Sequence, residues 1–78
     1  MKITYDKEAD AAYIYLQEIK HEGVSWTHPC DSIEVKGMIN LDFDNKDILI
    51  GIEVLSASKT LPKKLLDSAE RIDLSSKD

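Results

Sequence analysis

Apolar and polar residues alternate most regularly across "MINLDFDNKDILIGIEVL", residues 38 to 55. A period of two marks strands whose successive side chains point to opposite faces. Taking Asp44-Asn45-Lys46-Asp47 as a four-residue turn sets Phe43 opposite Ile48, Leu41 opposite Ile50 and Ile39 opposite Ile52. Those six then share one face, while Asn40, Asp42, Gly51 and Glu53 share the other with Leu49 and Leu55. Burying six such side chains contributes on the order of 10 kcal/mol gross.

Upstream, "KITY" (2 to 5) is β-branched and aromatic and predicts a strand, and "DKEAD" breaks it. Residues 11 to 17, "AAYIYLQ", fit two periods: Ala9, Ala12, Tyr13 and Leu16 share a helical face, whereas Ala12, Ile14 and Leu16 alternate as in a strand. Tyr-Ile-Tyr favours the strand, which makes residues 2 to 17 a first hairpin. "EIKHEG" (18 to 23) reads as a loop. "VSWTHPC" (24 to 30) alternates again, and Pro29 places that end at a sheet edge or a bulge. Residues 31 to 37 fit either a loop or a continuation of that strand.

Beyond "SAS", Pro62 suits the first turn of a helix, and Leu61, Leu65, Ala69 and Ile72 recur at helical spacing with Leu66 beside them. Ser58 or Thr60 supplies a capping oxygen. Lys63 and Lys64 lie at the positive end of that helix dipole, and Asp67, Glu70 and Asp73 toward the negative end. Both choices oppose the dipole, so the helix needs tertiary or intermolecular packing. The expected architecture is α+β: a small antiparallel β-meander of four to five strands followed by one short C-terminal helix. It forms a single domain over 1 to 74, with a frayed tail at 75 to 78.

Length sharpens that expectation. A chain of 78 residues buries only roughly 60% of the surface its unfolded form exposes, and such chains lean on disulfides, metals or a second subunit. Cys30 is the single cysteine, so self-association remains, and a lone thiol without an export signal fits a reducing cytoplasm. Ten basic against fifteen acidic side chains give a net charge of −5. That balance argues against non-specific nucleic-acid binding and suits a soluble protein, or one whose partner is basic. No apolar run approaches a membrane span.

Candidate chemistry is sparse. Asp42, Asp44 and Glu53 echo positions 1, 3 and 12 of a calcium loop, but Lys46 repels a cation at position 5 and Asp47 replaces the glycine of position 6. Asp6, Glu8 and Asp10 form a second acidic group in the first turn, where Asp hydrogen-bonds nearby backbone. His28 beside Cys30 lacks the orienting group and oxyanion site of a nucleophile–base pair. No phosphate loop or nucleophile elbow occurs, so no catalytic, cofactor or metal residue is assigned. Trp26, Tyr5, Tyr13 and Tyr15 read as core, and any of them found exposed becomes an interface candidate.

Two stretches, "ITYDKEADAAYIYL" and "GMINLDFDNKDILIGIEVLSASKTLP", resemble a bacterial family of proteins of unknown function, numbered 2283. The likeness falls on Tyr5, Asp6, Glu8, Ala9, Asp10, Ala11, Tyr13 and Ile14, then on Asp42, Asp44, Gly51, Ile52, Glu53, Ala57 and Ser58. The turn here is Asn-Lys-Asp, without the family's common glycine, and residues 18 to 37 carry little of the likeness. The resemblance implies a β-meander with a short helix, with residues 11 to 17 as strand. It supplies no catalytic residues, and implies an antitoxin-like role only by association. The expected function is a non-enzymatic protein-binding or antitoxin-like module acting as a homo-oligomer, plausibly a homodimer. Its candidate surface comprises Asp6, Asp10, Asp42, Glu53, Leu49, Leu55, Leu65 and Leu66. The alternative is a divalent-metal enzyme or metal-binding protein built on the carboxylates Asp6, Asp10, Asp42 and Glu53.

Overall fold

The computed structural model describes residues 1–20, 23–31, 33 and 37–72. The strands are β1 (Lys2–Asp6), β2 (Ala11–Tyr15), β3 (Trp26–Pro29), β4 (Met38–Phe43) and β5 (Leu49–Leu55). Two helices, α1 (Ala57–Thr60) and α2 (Lys63–Ser68), precede a two-residue strand, β6 (Glu70–Arg71). They build one sheet in the order β3-β4-β5-β2-β1-β6. The α+β class holds, with corrections to its detail. Among the described residues there are six strands rather than four or five. The sheet is mixed, because β6 runs parallel to β1. It is not a simple meander, since β5 rather than β3 lies beside β2.

The central hairpin corrects the expected register while keeping its faces. Leu41 pairs with Ile52 and Ile39 with Val54, not with Ile50 and Ile52. Two single-residue slips account for this. Ile48 joins the turn, where Asp44 N–H donates to the Ile48 carbonyl, so Phe43 meets Leu49. A bulge between Asp42 and Phe43 then adds the second slip. One slip exchanges the faces of a strand and two restore them, so Ile39, Leu41, Phe43, Ile50 and Ile52 still share a face. Only Ile48 leaves it, at 55% exposure.

The inner face carries Tyr5, Ala12 and Val54, onto which the helices deliver Ala57 and Leu66, with Ile39, Ile52, Leu61 and Ala69 packed around them. The C-terminal segment departs from a single helix. Pro62 is the N-cap of α2 rather than its first helical residue, and no side chain caps it. Ser58 lies inside α1, and Thr60 Oγ1 instead donates to the Ser56 carbonyl. The helix stops at Ser68, and Ala69 is extended, after which Glu70 and Arg71 pair with β1. Ile72, expected on the helix, donates its N–H to the Tyr5 carbonyl at 3.1 Å. With no acidic residue in its first turn and no basic one in its last, α2 has nothing in its charge pattern to extend it. The tail 75–78 and much of the stretch 31–37 lie outside the described residues, as does His21. No helix among the described residues is long and apolar enough to cross a membrane.

Candidate functional site

The candidate carboxylates fall into separate places, and each accepts a hydrogen bond from its own chain. Asp6 Oδ1 accepts from Ala9 N–H at 3.1 Å in the β1–β2 turn. Asp10 ends that turn in the left-handed region, φ 53°, a conformation Asp tolerates better than most residues. Its backbone carbonyl accepts from Ala57 N–H. Its carboxylate accepts from Ser58 N–H at 2.9 Å, Ser58 Oγ at 2.7 Å and Tyr5 Oη at 2.8 Å. The Ser58 hydroxyl above all, then Tyr5, the Ser58 N–H and Lys59, hold the Asp10 carboxyl below its ordinary range against the opposing effect of burial. Asp10 thus ties the first hairpin to the start of α1, which has no cap of its own.

The outer face of the sheet carries a second network. Tyr13 Oη donates to Asp42 Oδ2 and Thr27 Oγ1 to Asp42 Oδ1, both at 2.6 Å, so a carboxylate on a residue only 9% exposed has a donor on each oxygen. Tyr13 reaches Asp42 by lying across Gly51, where an added Cβ would fall on the Tyr13 hydroxyl and ring. Burial first, then the Asp42 hydrogen bond and charge, push the Tyr13 hydroxyl well above its ordinary pKa. Asn40 Nδ2 donates to Glu53 Oε1 at 2.9 Å. Tyr13 meets Tyr15 edge-on at 4.6 Å, and Lys2 Nζ lies 5.5 Å from the centre of the Tyr15 ring.

Leu49 and Leu55 are half-buried; Leu55 falls on this outer face by alternation, whereas Leu49 lies beyond the bulge and pairs with Phe43. Leu65 is half-buried too, whereas Leu66 is 7% exposed and belongs to the core. The eight candidate surface residues therefore do not form one patch. Asp42, Glu53 and Leu55 come together on the outer face, Leu49 pairs with Phe43 beyond the bulge, Asp6 and Asp10 lie in a turn, and Leu65 and Leu66 lie on α2. Among the described residues no three His, Cys, Asp or Glu side chains are placed to hold a metal. Cys30 is half-buried and His28 exposed.

A further arrangement has no counterpart in the sequence pattern. Trp26 stacks on Phe43 with ring centres 4.3 Å apart and planes 10° from parallel. The indole Nε1–H donates to Asp47 Oδ1 at 3.0 Å, yet Trp26 remains 44% exposed. Asp47 sits at φ 62° in a turn shaped by Asp44, whose Oδ1 accepts from Lys46 and Ile48 N–H. The pairing of Trp26 with Phe43 depends on β3 lying beside β4. Sequence pattern showed a strand near Trp26, but not its neighbour. The available signal was an isolated tryptophan two residues from an edge-marking proline.

Comparison with curated proteins and with solved structures finds no match. The family model described as "Protein of unknown function (DUF2283)" matches residues 2–58, from β1 through the Asp10–Ser58 contact. The chain therefore belongs to the DUF2283 family.

Proposed function

We propose that the protein is a non-enzymatic, antitoxin-like protein-binding module that works as a homo-oligomer and takes a basic protein partner. What carries self-association is how little core the chain builds. It is a slab of 35 × 33 × 19 Å, and the buried core among the described residues is small, with two of its six apolar members alanines. A second copy laid on the outer face, over Leu55, Tyr15 and Met38, would supply the missing burial.

The carboxylates support a structural role over a metal-dependent reaction, because Asp6, Asp10, Asp42 and Glu53 each already accept hydrogen bonds within the chain. A net charge of −5 favours a basic partner, and half-buried Cys30 accords with work in a reducing cytoplasm. Size exclusion with light scattering tests self-association. A dimer or larger species is expected, and Leu55→Asp should return it to monomer. A wild-type monomer at every concentration would overturn that part of the reading.

A further inference from the structure

We infer that the open face of Trp26, together with Asp47, is the docking point for an arginine side chain of a basic protein partner. This rests on the partner class proposed above and assigns it a place. The indole is held from two directions, by the Phe43 ring beneath it and by the Asp47 carboxylate at its Nε1–H. A ring so fixed loses little conformational freedom on binding, and tryptophan is enriched among residues that dominate interfaces.

Its chemistry selects a cation. The indole face is the best aromatic surface for a positive charge. Asp47 Oδ1 takes the indole proton, while Oδ2 makes no hydrogen bond among the described residues. A guanidinium stacked on Trp26 can therefore donate to Oδ2 at the ring's edge, a use of plane and fork together that lysine cannot match. The turn holds Asp44 and Asp47 against Lys46, a net negative charge. Val24, 40% exposed, and Ile48 beside Asp47 offer apolar surface for the stem of the incoming side chain.

The edge of β3 favours side-chain docking over strand addition. Cys30 N–H donates to the Ile39 carbonyl, so in antiparallel alternation Trp26 and His28 also direct backbone groups to β4. Thr27 and Pro29 face outward, and Pro29 has no N–H to offer an added strand. The stack lies on the face opposite the Thr27–Asp42 contact, so an oligomer built on the outer face leaves it open.

Trp26 is the only tryptophan, so its emission reports the site directly. The full chain is titrated with an arginine-rich peptide and with the same peptide carrying citrulline, the neutral counterpart of arginine, with calorimetry in parallel. A saturable emission change is expected with arginine, weakened by salt and absent with citrulline. Asp47→Asn keeps an acceptor and the turn but removes the charge, and should weaken binding by roughly twofold to fivefold, the measure of one exposed ion pair. Trp26→Leu, followed by calorimetry, should weaken it by about 2- to 30-fold. Heat of binding without an emission change, and indifferent to both substitutions, would overturn this site while leaving the basic-partner reading intact. No heat with either peptide would overturn both. Dissociation of the oligomer by Trp26→Leu would reassign the stack to self-association and overturn the inference.

Discussion

Tyr13→Phe removes one hydroxyl from the middle of the outer face and leaves the ring over Gly51. Asp42 Oδ2 then loses its donor while Thr27 still holds Oδ1. A hydrogen bond to a charged group contributes about 1.5–3 kcal/mol, and an orphaned buried acceptor costs a similar amount. Asp42 is 9% exposed, leaving water little room to substitute, so a loss of about 2 kcal/mol is expected. For a domain of this size that lowers Tm by about 8–16 °C. Urea unfolding measures it directly: the midpoint should fall with an unchanged slope. A cycle with Asp42→Asn should give a coupling of at least about 0.5 kcal/mol. A loss below about 0.5 kcal/mol, or strict additivity with Asp42→Asn, would refute the claim that this contact holds the face together.

The same contact carries a pH signature of definite sign. Folding raises the Tyr13 pKa above its ordinary value, chiefly by burial and then through Asp42. A group whose folded pKa is raised contributes stability that is fully present below the unfolded pKa, about 10, and lost as pH rises through the folded one. Wild type should therefore lose stability above about pH 10, and the gap between it and Tyr13→Phe should narrow there. A gap that stays constant into strong alkali would contradict the assignment.

Gly51→Ala should destabilise by at least about 1–3 kcal/mol, because the new methyl displaces the Tyr13 ring; thermal melts of the single and of its combination with Tyr13→Phe should show less than additive losses. Asp10→Ala should cost about 1–2 kcal/mol as a lost cap, read by urea unfolding. The Asp10 carboxyl is held low in the fold, so its contribution is present above the unfolded value, about 3.9, and fades as pH falls through the folded one; wild type and Asp10→Asn should converge in acid. Leu66→Ala should cost about 2–5 kcal/mol yet leave the mass seen by light scattering unchanged, since Leu66 packs within the core of its own chain.

Alternation carried the central hairpin across in the sequence because a period of two survives an even shift. The bulge at Asp42 and Phe43 and the extra turn residue Ile48 cancel in facing though not in pairing, so periodicity gives the face of Leu41 and Ile52 correctly but not their partners. Periodicity had no comparable hold on β6. Leu65, Ala69 and Ile72 keep helical spacing, but the open edge of β1 competes for residues 70 and 71, and that competition is tertiary. The Asp10–Ser58 clamp spans 48 positions, beyond any local pattern. Pro29 was informative for the opposite reason: its missing N–H is a local fact with one tertiary consequence, and β3 is indeed an edge strand.

The residues that carry the family resemblance are occupied by the scaffold. Tyr5, Asp10, Ala57 and Ser58 join the first hairpin to α1, while Tyr13, Asp42 and Gly51 lock the outer face. Asp44 shapes the turn. Acidic motifs of this kind invite a metal or catalytic reading, yet here Asp6, Asp10, Asp42, Asp44 and Glu53 already accept donors from their own chain. Trp26 and Val24, by contrast, lie in the stretch 18 to 37 that carries little of the resemblance, and Trp26 is set in place by Phe43 and Asp47. Substitutions at Tyr13, Asp42, Gly51 and Asp10 should therefore cost stability, whereas at the docking point proposed for Trp26 and Asp47, Asp47→Asn should cost binding with the fold intact.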